Sequence, residues 1–500
     1  MKAFFVIPFI SILLSLHGCK MDSKIKSHGI HFVSQEMQLG APKELFLHNG
    51  EYHLFYQAKE NDQLIHCKHA ISKDLVNWHQ ATKTNELDSL GSIGVWSVVV
   101  DQNNQSGLAS DNPTFIGFYT NANSEEESNN HNYKSINVAI STDDGNSWLN
   151  KLEYEIELYN TNSDIRDIKV IWHEEMQRWI MLVLSGYQVQ FYFSDDLLNW
   201  EYFNEFGNEV DEKKGEWTDL EFVQIGVDNS NNKYWVLFVS TTEGSPNNGS
   251  GTQYFVGEFN GFEFNPITHK PKWVDNGSDN FAGVGVTNYY KQGEPSYYLG
   301  WMNNSKYGNS INNDGMPESY TLPRKLTLIN KFNDYYLKSV PVEYNETQNN
   351  TKLPFQPQNI NSQFAFGKKL ELPITLNLTF DVNNRTYLDL AEVFGIEIIN
   401  HQNEKTIIGY NSVRRYFFVR KEDKNKVSEE YTDIDYAFYA IDKSTLDLKI
   451  IIDQASVEIF AIDGFISMTK KCALPEGIKH LNLFAENGHV KLLNGNQTGL

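Results

Sequence analysis

The chain has 500 residues, a length that allows two or three domains with large buried cores. Its formal net charge is −22, and no basic patch stands out, which argues against nucleic acid as a partner because such binding needs clustered lysine and arginine. Aromatic residues make up 13% of the chain, a content that suits stacking on sugar rings and β-sheet packing equally well.

The first nineteen residues, MKAFFVIPFISILLSLHGC, have the pattern of a bacterial lipoprotein signal peptide. The apolar run from Ala3 to Leu16 is too short for a comfortable membrane-spanning helix. Cys19 is then the lipidated N-terminus of the mature protein, and residues 20–29 are a polar tether. His17 is unusual before the Gly-Cys pair, so a cleaved secretory signal is the alternative. Either reading places the protein outside the cytoplasm, and the first one anchors it to a membrane.

Residues 30–340 contain many short apolar or alternating segments, separated at intervals of roughly ten residues by Asn, Gly, Asp and Ser clusters. Each segment has the length of a strand, which predicts an all-β domain of the sandwich, barrel or propeller type. The segment SKDLVNW (72–78) recurs as SDDLLNW (194–200), and STDDGNSW (141–148) is related to both. Such repetition favours a propeller, in which each blade repeats one unit.

The pattern changes near residue 345, in a polar segment that contains prolines. Beyond it, alternating segments predict a smaller antiparallel β-sandwich over residues 345–500. Cys67 and Cys472 are far apart in sequence and show no metal-ligand spacing, so we expect two free core thiols. Neither a metal nor a cofactor is indicated.

Motifs in one consistent order resemble those of glycoside hydrolase family 32, the invertase, levanase and fructanase family. GAPKELFLHNGEYHLFYQ (40–57) is similar to the opening motif of that family, which reads roughly NDPNGL and is followed by a strand of the GEYHLFYQ type. Further matching segments are CKHAISKDLVNW (67–78), VVVDQNNQSG (98–107), SDIRDIKVIWHEE (163–175), GEWTDLEF (215–222), SGTQYFVGEFNGFEF (250–264), DNFAGVGV (279–286), GWMNN (300–304), PESYTLPRKLTL (317–328) and IIIDQASVEIFAIDG (450–464). The resemblance implies a five-bladed β-propeller followed by a β-sandwich.

The resemblance also implies roles for three charged residues. Retaining cleavage of a glycoside needs an attacking carboxylate and a carboxylic acid about 5 Å away. Glu216 matches the family's acid/base position, with Glu221 as the nearest competitor for that role. Asp167 matches the carboxylate that stabilises the transition state, and Arg166 beside it would hold sugar hydroxyls.

The position of the family's nucleophilic Asp is occupied by Ala41. A methyl group cannot attack or ionise, so we expect ordinary retaining turnover to be nearly absent. Glu44 or Glu36 could replace the nucleophile by a different loop path, although a strand would turn Glu44 away from the face of Ala41. An inverting reaction through a more distant carboxylate is the other alternative.

Three more residues are expected to contact a sugar. Gln57 ends the YHLFYQ strand and would hydrogen-bond a hydroxyl group. Trp96 lies in GVWS, where the family has a W/F-S-G-S segment, and Trp301 in GWMNN would be either a stacking wall or an inter-blade packing residue.

Two functions follow from these expectations. The first is hydrolysis of levan, inulin or sucrose-type β-fructosides, and the alternative is a cell-surface lipoprotein that binds fructan without cutting it. A third class, a purely structural surface protein, predicts that Arg166, Asp167 and Glu216 do not converge in one pocket.

Overall fold

The computed structural model describes residues 30–33, 38–60, 64–81, 93–109, 113–121, 135–151, 153–158, 165–211, 213–287, 295–307, 318–343, 352–365, 371–383, 390–422, 434–472, 474 and 477–499. Apart from one 3₁₀ turn at Ile462–Gly464, the regular elements of these residues are β-strands. They form five blades around a common axis, followed by two facing sheets. The predicted architecture, a five-bladed propeller and a C-terminal β-sandwich, is confirmed.

Each blade is an antiparallel sheet whose first strand is the innermost one. Blade 1 contains β1 (Gln38–His48), β2 (Glu51–Glu60), β3 (Leu64–Ser72) and β4 (Trp78–Gln80). Blade 2 contains β5 (Ile93–Asp101), β6 (Thr114–Asn121), β7 (Ser135–Ser141), β8 (Leu149–Asn150) and β9 (Ile156–Glu157). Blade 3 contains β10 (Ile165–His173), β11 (Arg178–Ser185), β12 (Gln188–Ser194) and β13 (Glu201–Phe206). Blade 4 contains β14 (Trp217–Gly226), β15 (Lys233–Thr241), β16 (Gly251–Phe259), β17 (Phe264–Pro266) and β18 (Lys272–Trp273).

Blade 5 closes the ring against blade 1. It contains β19 (Phe281–Thr287), β20 (Ser296–Trp301), β21 (Arg324–Lys331) and β22 (Asp334–Pro341). Its inner strand β19 pairs in parallel with β1, so blades 5 and 1 share one sheet of eight strands. This pairing protects the open edges that the first and last blades would otherwise expose.

The repeated SKDLVNW-type segments form the same turn in three different blades. Asp74 and Asp196 each accept hydrogen bonds from the backbone N–H groups two and three residues further on. Leu75 and Leu197 both have a φ of 66°, and Gly145 stands at the same place in the third copy with a φ of 81°. In all three copies the indole N–H of the closing Trp donates to the carbonyl three residues earlier. The internal repeat therefore marks one type of turn that recurs in blades 1, 2 and 3.

The C-terminal domain consists of two sheets packed over an apolar core. The first sheet contains β23 (Lys352–Phe355), β24 (Gln358–Ile360), β26 (Ile374–Asp381), β31 (Thr445–Ile452), β32 (Ser456–Ala461), β33 (Ile466–Lys471) and β35 (Val490–Gly499). The second contains β25 (Gln363–Ala365), β27 (Val393–Asn400), β28 (Lys405–Asn411), β29 (Tyr416–Glu422), β30 (Ile434–Phe438) and β34 (Ile478–Glu486). Alternate residues of each strand face the core, as the sequence pattern predicts.

Buried charges join the two domains. Arg324 of β21 donates to Asp275 at 2.6 Å, to Glu458 at 2.6 Å and to Thr469 at 2.5 Å, and the latter two belong to the sandwich. Between blades 4 and 5 the backbone runs so close to β33 that a Cβ at Gly277 would lie 2.1 Å from the Thr469 carbonyl oxygen. Only glycine allows this approach, and the two domains therefore meet in a tight polar seam.

Candidate functional site

The inner strands of the five blades begin at one end of the propeller axis. Ser97, Lys169, Glu221 and Gly285 are each the fifth residue of their strands, and hydrogen bonds join them with Glu44 of β1 in one network. These residues meet although each is equally far from the start of its own strand, so the four inner strands run in the same direction. Residues near the start of each inner strand therefore surround a common opening, and this is where the predicted site residues lie.

Ala41 lies near the start of β1 and is 5% exposed. It belongs to a small apolar cluster with Phe281 and Ala282, against which Trp301 packs. The expected nucleophile position thus has apolar side chains among its neighbours. Its methyl group supplies contacts but no charge.

Glu216 and Arg166 lie together at the rim of this opening. Arg166 Nη1 is 3.3 Å from Glu216 Oε2 and donates to the Trp217 carbonyl at 3.2 Å. The Glu216 side chain is 66% exposed and that of Arg166 is 22% exposed. The Glu216 backbone is paired with Thr242, which fixes the start of β14. Both polar groups are therefore accessible to a ligand.

Below the rim lies a first charged layer, formed by Lys43, Asp167 and Asp219. The Lys43 ammonium is 2.6 Å from Asp219 Oδ1 and 3.5 Å from Asp167 Oδ1. The second oxygen of Asp167 accepts the Leu220 N–H at 2.9 Å. Burial raises the pKa of Asp167 to about 7, although Lys43 opposes this rise. The pKa of Lys43 is also raised, because the attraction of the two carboxylates outweighs its loss of hydration.

A second charged layer lies deeper, two residues further along β10 and β14 and one residue further along β1. Lys169 donates to Glu44 at 2.5 Å and to Glu221 at 2.9 Å, and all three side chains are buried. Glu44 also accepts from Ser97, and Glu221 accepts from the Gly285 N–H. Burial raises the pKa of Glu44 to about 6, against the attraction of Lys169. Each carboxylate is held by strands of the propeller and has no access to the rim.

The carboxylates left open as alternatives have different surroundings in the fold. Glu221, the competitor of Glu216, is fully enclosed, whereas Glu216 stands at the opening. Glu44, the candidate replacement for the nucleophile, points to the axis and pairs with Lys169, because β1 has register shifts between Leu39 and Pro42 and between Pro42 and Glu44. Glu36 and Cys19 lie outside the described residues.

The three expected sugar contacts have different surroundings. Gln57 donates to the Gly94 carbonyl at 2.7 Å, so part of its amide is used between blades 1 and 2. Trp301 is partly buried beside Phe281, with ring centroids 6.3 Å apart. Trp96 is only 1% exposed and packs edge to face on Trp148 inside blade 2. This burial corrects the expectation of a sugar contact at Trp96, because a stacking platform must present a free ring face.

Three residues of the site were missed by sequence reasoning: Lys43, Lys169 and Asp219. A signal was available, because Asp167 and Lys169 stand two apart in one strand, and Asp219 and Glu221 stand two apart in another. Residues two apart in a strand share a face. The neighbouring blades determine which carboxylate each lysine pairs with, and this information comes only from the fold.

Cys67 and Cys472 are both buried. Among the described residues, no cluster of three His, Cys, Asp or Glu side chains is arranged to hold a metal ion. Within the same part of the chain, no helix is long and apolar enough to cross a bilayer.

Comparison with known proteins agrees with the fold and the motif order. Residues 31–341 match the model of the glycosyl hydrolases family 32 N-terminal domain, and residues 341–497 match that of the family 32 C-terminal domain. The chain is 30% identical over 481 residues to a levanase of Bacillus subtilis, covering 92% of this chain and 68% of the levanase. It is 27% identical to an extracellular exo-inulinase of Meyerozyma guilliermondii, covering 99% of this chain and 98% of that protein.

Solved structures show the same fold. The exo-inulinase of Aspergillus awamori superimposes with a TM-score of 0.80 at 24% identity, over 96% of this chain and 99% of that one. A fructofuranosidase of Schwanniomyces occidentalis, complexed with fructosylnystose, gives a TM-score of 0.82 at 24% identity over the same shares. With both of its domains matched in order, the chain belongs to glycosyl hydrolases family 32.

Proposed function

We propose that this protein recognises the fructosyl units of levan- or inulin-type β-fructosides and does not cleave them by retaining hydrolysis. The observation that carries the proposal is that Ala41, which packs with Phe281 and Ala282, stands where the family has its nucleophile. Retaining cleavage requires two carboxyl groups about 5 Å apart on opposite sides of the bond. At the rim, Glu216 has no second carboxylate facing it from position 41.

The other described carboxylates near the axis are engaged in the protein's own ion pairs. Asp219 is held by Lys43, and Glu44 and Glu221 are held by Lys169. A carboxylate that is buried and paired with an ammonium is a poor nucleophile, because attack would require breaking the pair in a low dielectric. Recognition, in contrast, needs only accessible hydrogen-bonding groups, which Arg166 and Glu216 supply.

The substrate class rests on the family and on named relatives. Relatives similar over most of this chain carry the names levanase and exo-inulinase. Arg166, Asp167 and Glu216 converge at one end of the propeller, as a pocket for a fructosyl group requires and a purely structural protein does not.

Hydrolysis of the same fructosides is the second candidate. It is favoured by the same convergence, since the residues matching the acid/base and the transition-state stabiliser both lie near the opening. It would require an attacking group or water other than the family's nucleophile.

The decisive experiment measures fructose release and binding heat together, with purified protein and levan, inulin or sucrose. We expect a binding isotherm with at least one fructan and no fructose release above a heat-inactivated sample. Arg166→Ala should weaken binding by about tenfold or more, because it removes a charged hydrogen-bond donor. Arg178→Ala is the matched control, since Arg178 forms an exposed pair with Asp195 away from the site.

Two results would contradict the proposal. Fructose release by the wild-type protein would establish hydrolysis, and Glu216→Gln would then test the acid/base assignment. Absence of binding to all three carbohydrates would remove the recognition function.

We also propose that the protein is extracytoplasmic and anchored through a lipid on Cys19. The signal-like first nineteen residues support both parts of this proposal, and the extracellular exo-inulinase among the relatives supports the extracytoplasmic location. A radiolabelled fatty acid should be incorporated into the wild-type protein in a bacterial host and not into Cys19→Ser. Labelling of neither protein, with release into the medium, would indicate the cleaved secretory signal instead.

A further inference from the structure

We propose that Lys43 is a second block on hydrolysis, separate from Ala41, and that both residues must be changed before the pocket can cleave a fructoside. The inference rests on the proposed function, in which the wild-type protein binds without cleaving. Lys43 acts through Asp167 and Asp219 and is therefore a positioning residue.

The contacts of Lys43 engage Asp167, the carboxylate that a reacting sugar would need, and its neighbour Asp219. Its ammonium lies 2.6 Å from Asp219 and 3.5 Å from one oxygen of Asp167. The other Asp167 oxygen accepts the N–H of Leu220. Both oxygens of Asp167 are thus occupied within the protein, and its negative charge has a cation beside it.

The ion pair with Lys43 offsets the negative charge by which Asp167 would stabilise the transition state. Cleavage of a fructoside develops positive charge on the sugar, and an anion nearby lowers the barrier only if its charge is not already offset. In a buried layer the attraction between ammonium and carboxylate is strong, because little water screens it. A lysine also competes with the sugar for hydrogen-bond acceptors.

At position 43 this chain differs in charge from the opening motif of the family. The opening motif has Asn where this chain has Lys43, and a neutral amide can donate to a carboxylate without cancelling its charge. A carboxylate restored at position 41 would supply an attacking group but would leave Asp167 offset. Ala41 and Lys43 therefore form two separate obstacles on one strand.

The test compares fructose release from levan by Ala41→Asp, Lys43→Asn and the double variant A41D/K43N, measured over a pH range that extends above 7 because loss of Lys43 raises the pKa of Asp167 further. We expect the wild-type protein and both single variants to stay near background, and the double variant to exceed A41D by about 100-fold or more, the scale of one lost electrostatic stabiliser. A41D/K43Q should follow A41D/K43N, because Gln is also neutral. A41D/K43R should stay at the level of A41D, because Arg keeps the positive charge.

Thermal melting and fructan binding are measured on every variant, and A41D/K325N serves as the control for removing an exposed lysine from the propeller. Release by A41D equal to that of a folded A41D/K43N or A41D/K43Q would overturn the inference, as would equally high release by A41D/K43R. If both neutral variants fail to fold, release by A41D or A41D/K43R far above background still overturns it, and background release by both supports it. Release by the wild-type protein would instead overturn the proposed function.

Discussion

The Lys169 ammonium lies between two carboxylates that no solvent reaches, and its partners come from the strands on either side of the propeller axis. Glu44 and Glu221 are tolerable at the centre of the molecule because Lys169 neutralises part of their charge and Ser97 and Gly285 donate further hydrogen bonds. The two glutamates and the lysine are thus interdependent.

Replacing Lys169 with Met should destabilise the protein by about 3–5 kcal/mol, since it leaves two buried carboxylates without a cation. The measurement is the free energy of unfolding in urea. Lys325→Met, a change of an exposed lysine, should alter stability by less than about 0.5 kcal/mol.

A further variant separates charge from packing. In the triple variant E44Q/K169M/E221Q the carboxylates are neutral, so a substantial part of the lost stability should return. If the triple variant is no more stable than Lys169→Met, the cost comes from packing, and the ionic account of this layer is wrong.

At the scale of an element, residues 30–33 connect the two domains. Ile30 packs with apolar side chains of both domains, and Phe32 stacks on Tyr320 with ring centroids 5.2 Å apart. Between them, His31 contacts Asp453 at 2.7 Å and Glu458 at 2.9 Å. This short segment bridges the seam between the two domains.

His31 should make stability depend on pH. Burial alone would lower its pKa, but hydrogen bonds and attraction from Asp453 and Glu458 raise it from 6.5 to about 9. A raised pKa in the folded state means that the stabilisation is complete below about pH 6.5 and is lost as pH rises through about 9. The full effect is about 3 kcal/mol, at about 1.4 kcal/mol for each pKa unit.

Urea unfolding of the wild-type protein and His31→Gln at pH 6 and pH 10 measures this effect. The difference in stability between the two proteins should shrink markedly at the higher pH, because a neutral His31 no longer benefits from the carboxylates. A difference that stays constant across this range would show that His31 is neutral throughout.

At the scale of the whole molecule, the two domains share buried ion pairs rather than a loose linker. Arg324 reaches Asp275 in the propeller and Glu458 in the sandwich. Lys470 of β33 pairs with Asp435 of β30, and Asp435 also accepts from Ser278 between blades 4 and 5. When either domain unfolds, the charged side chains that have partners in both domains lose the partners in that domain.

We therefore expect the wild-type protein to unfold in one calorimetric transition. Arg324→Met leaves Asp275 and Glu458 buried without their cation, which should cost about 3–5 kcal/mol and split the transition into two. Two separate transitions in the wild-type protein would mean that the domains are thermodynamically independent despite these contacts.

The sequence by itself determined the fold class, the order of the domains and the family. Strand-length segments between turn residues give this information locally, and the repeated Asp-Leu-x-Asn-Trp turn marks equivalent points in different blades. The order of the motifs also identified Ala41 as the residue at the nucleophile position. It identified Arg166, Asp167 and Glu216 as candidate residues of one site. Their proximity could be predicted because inner strands of a propeller begin at one end of its axis.

Only the tertiary structure decided how the charges are paired. Lys43 and Lys169 stand on different strands from every carboxylate they bind, and those carboxylates are more than a hundred residues away in most cases. The burial of Trp96 and the inward direction of Glu44 likewise depend on neighbouring blades and on register shifts in β1. Such pairings arise when five blades close around one axis, and a local sequence pattern carries no information about which residues that closure brings into contact.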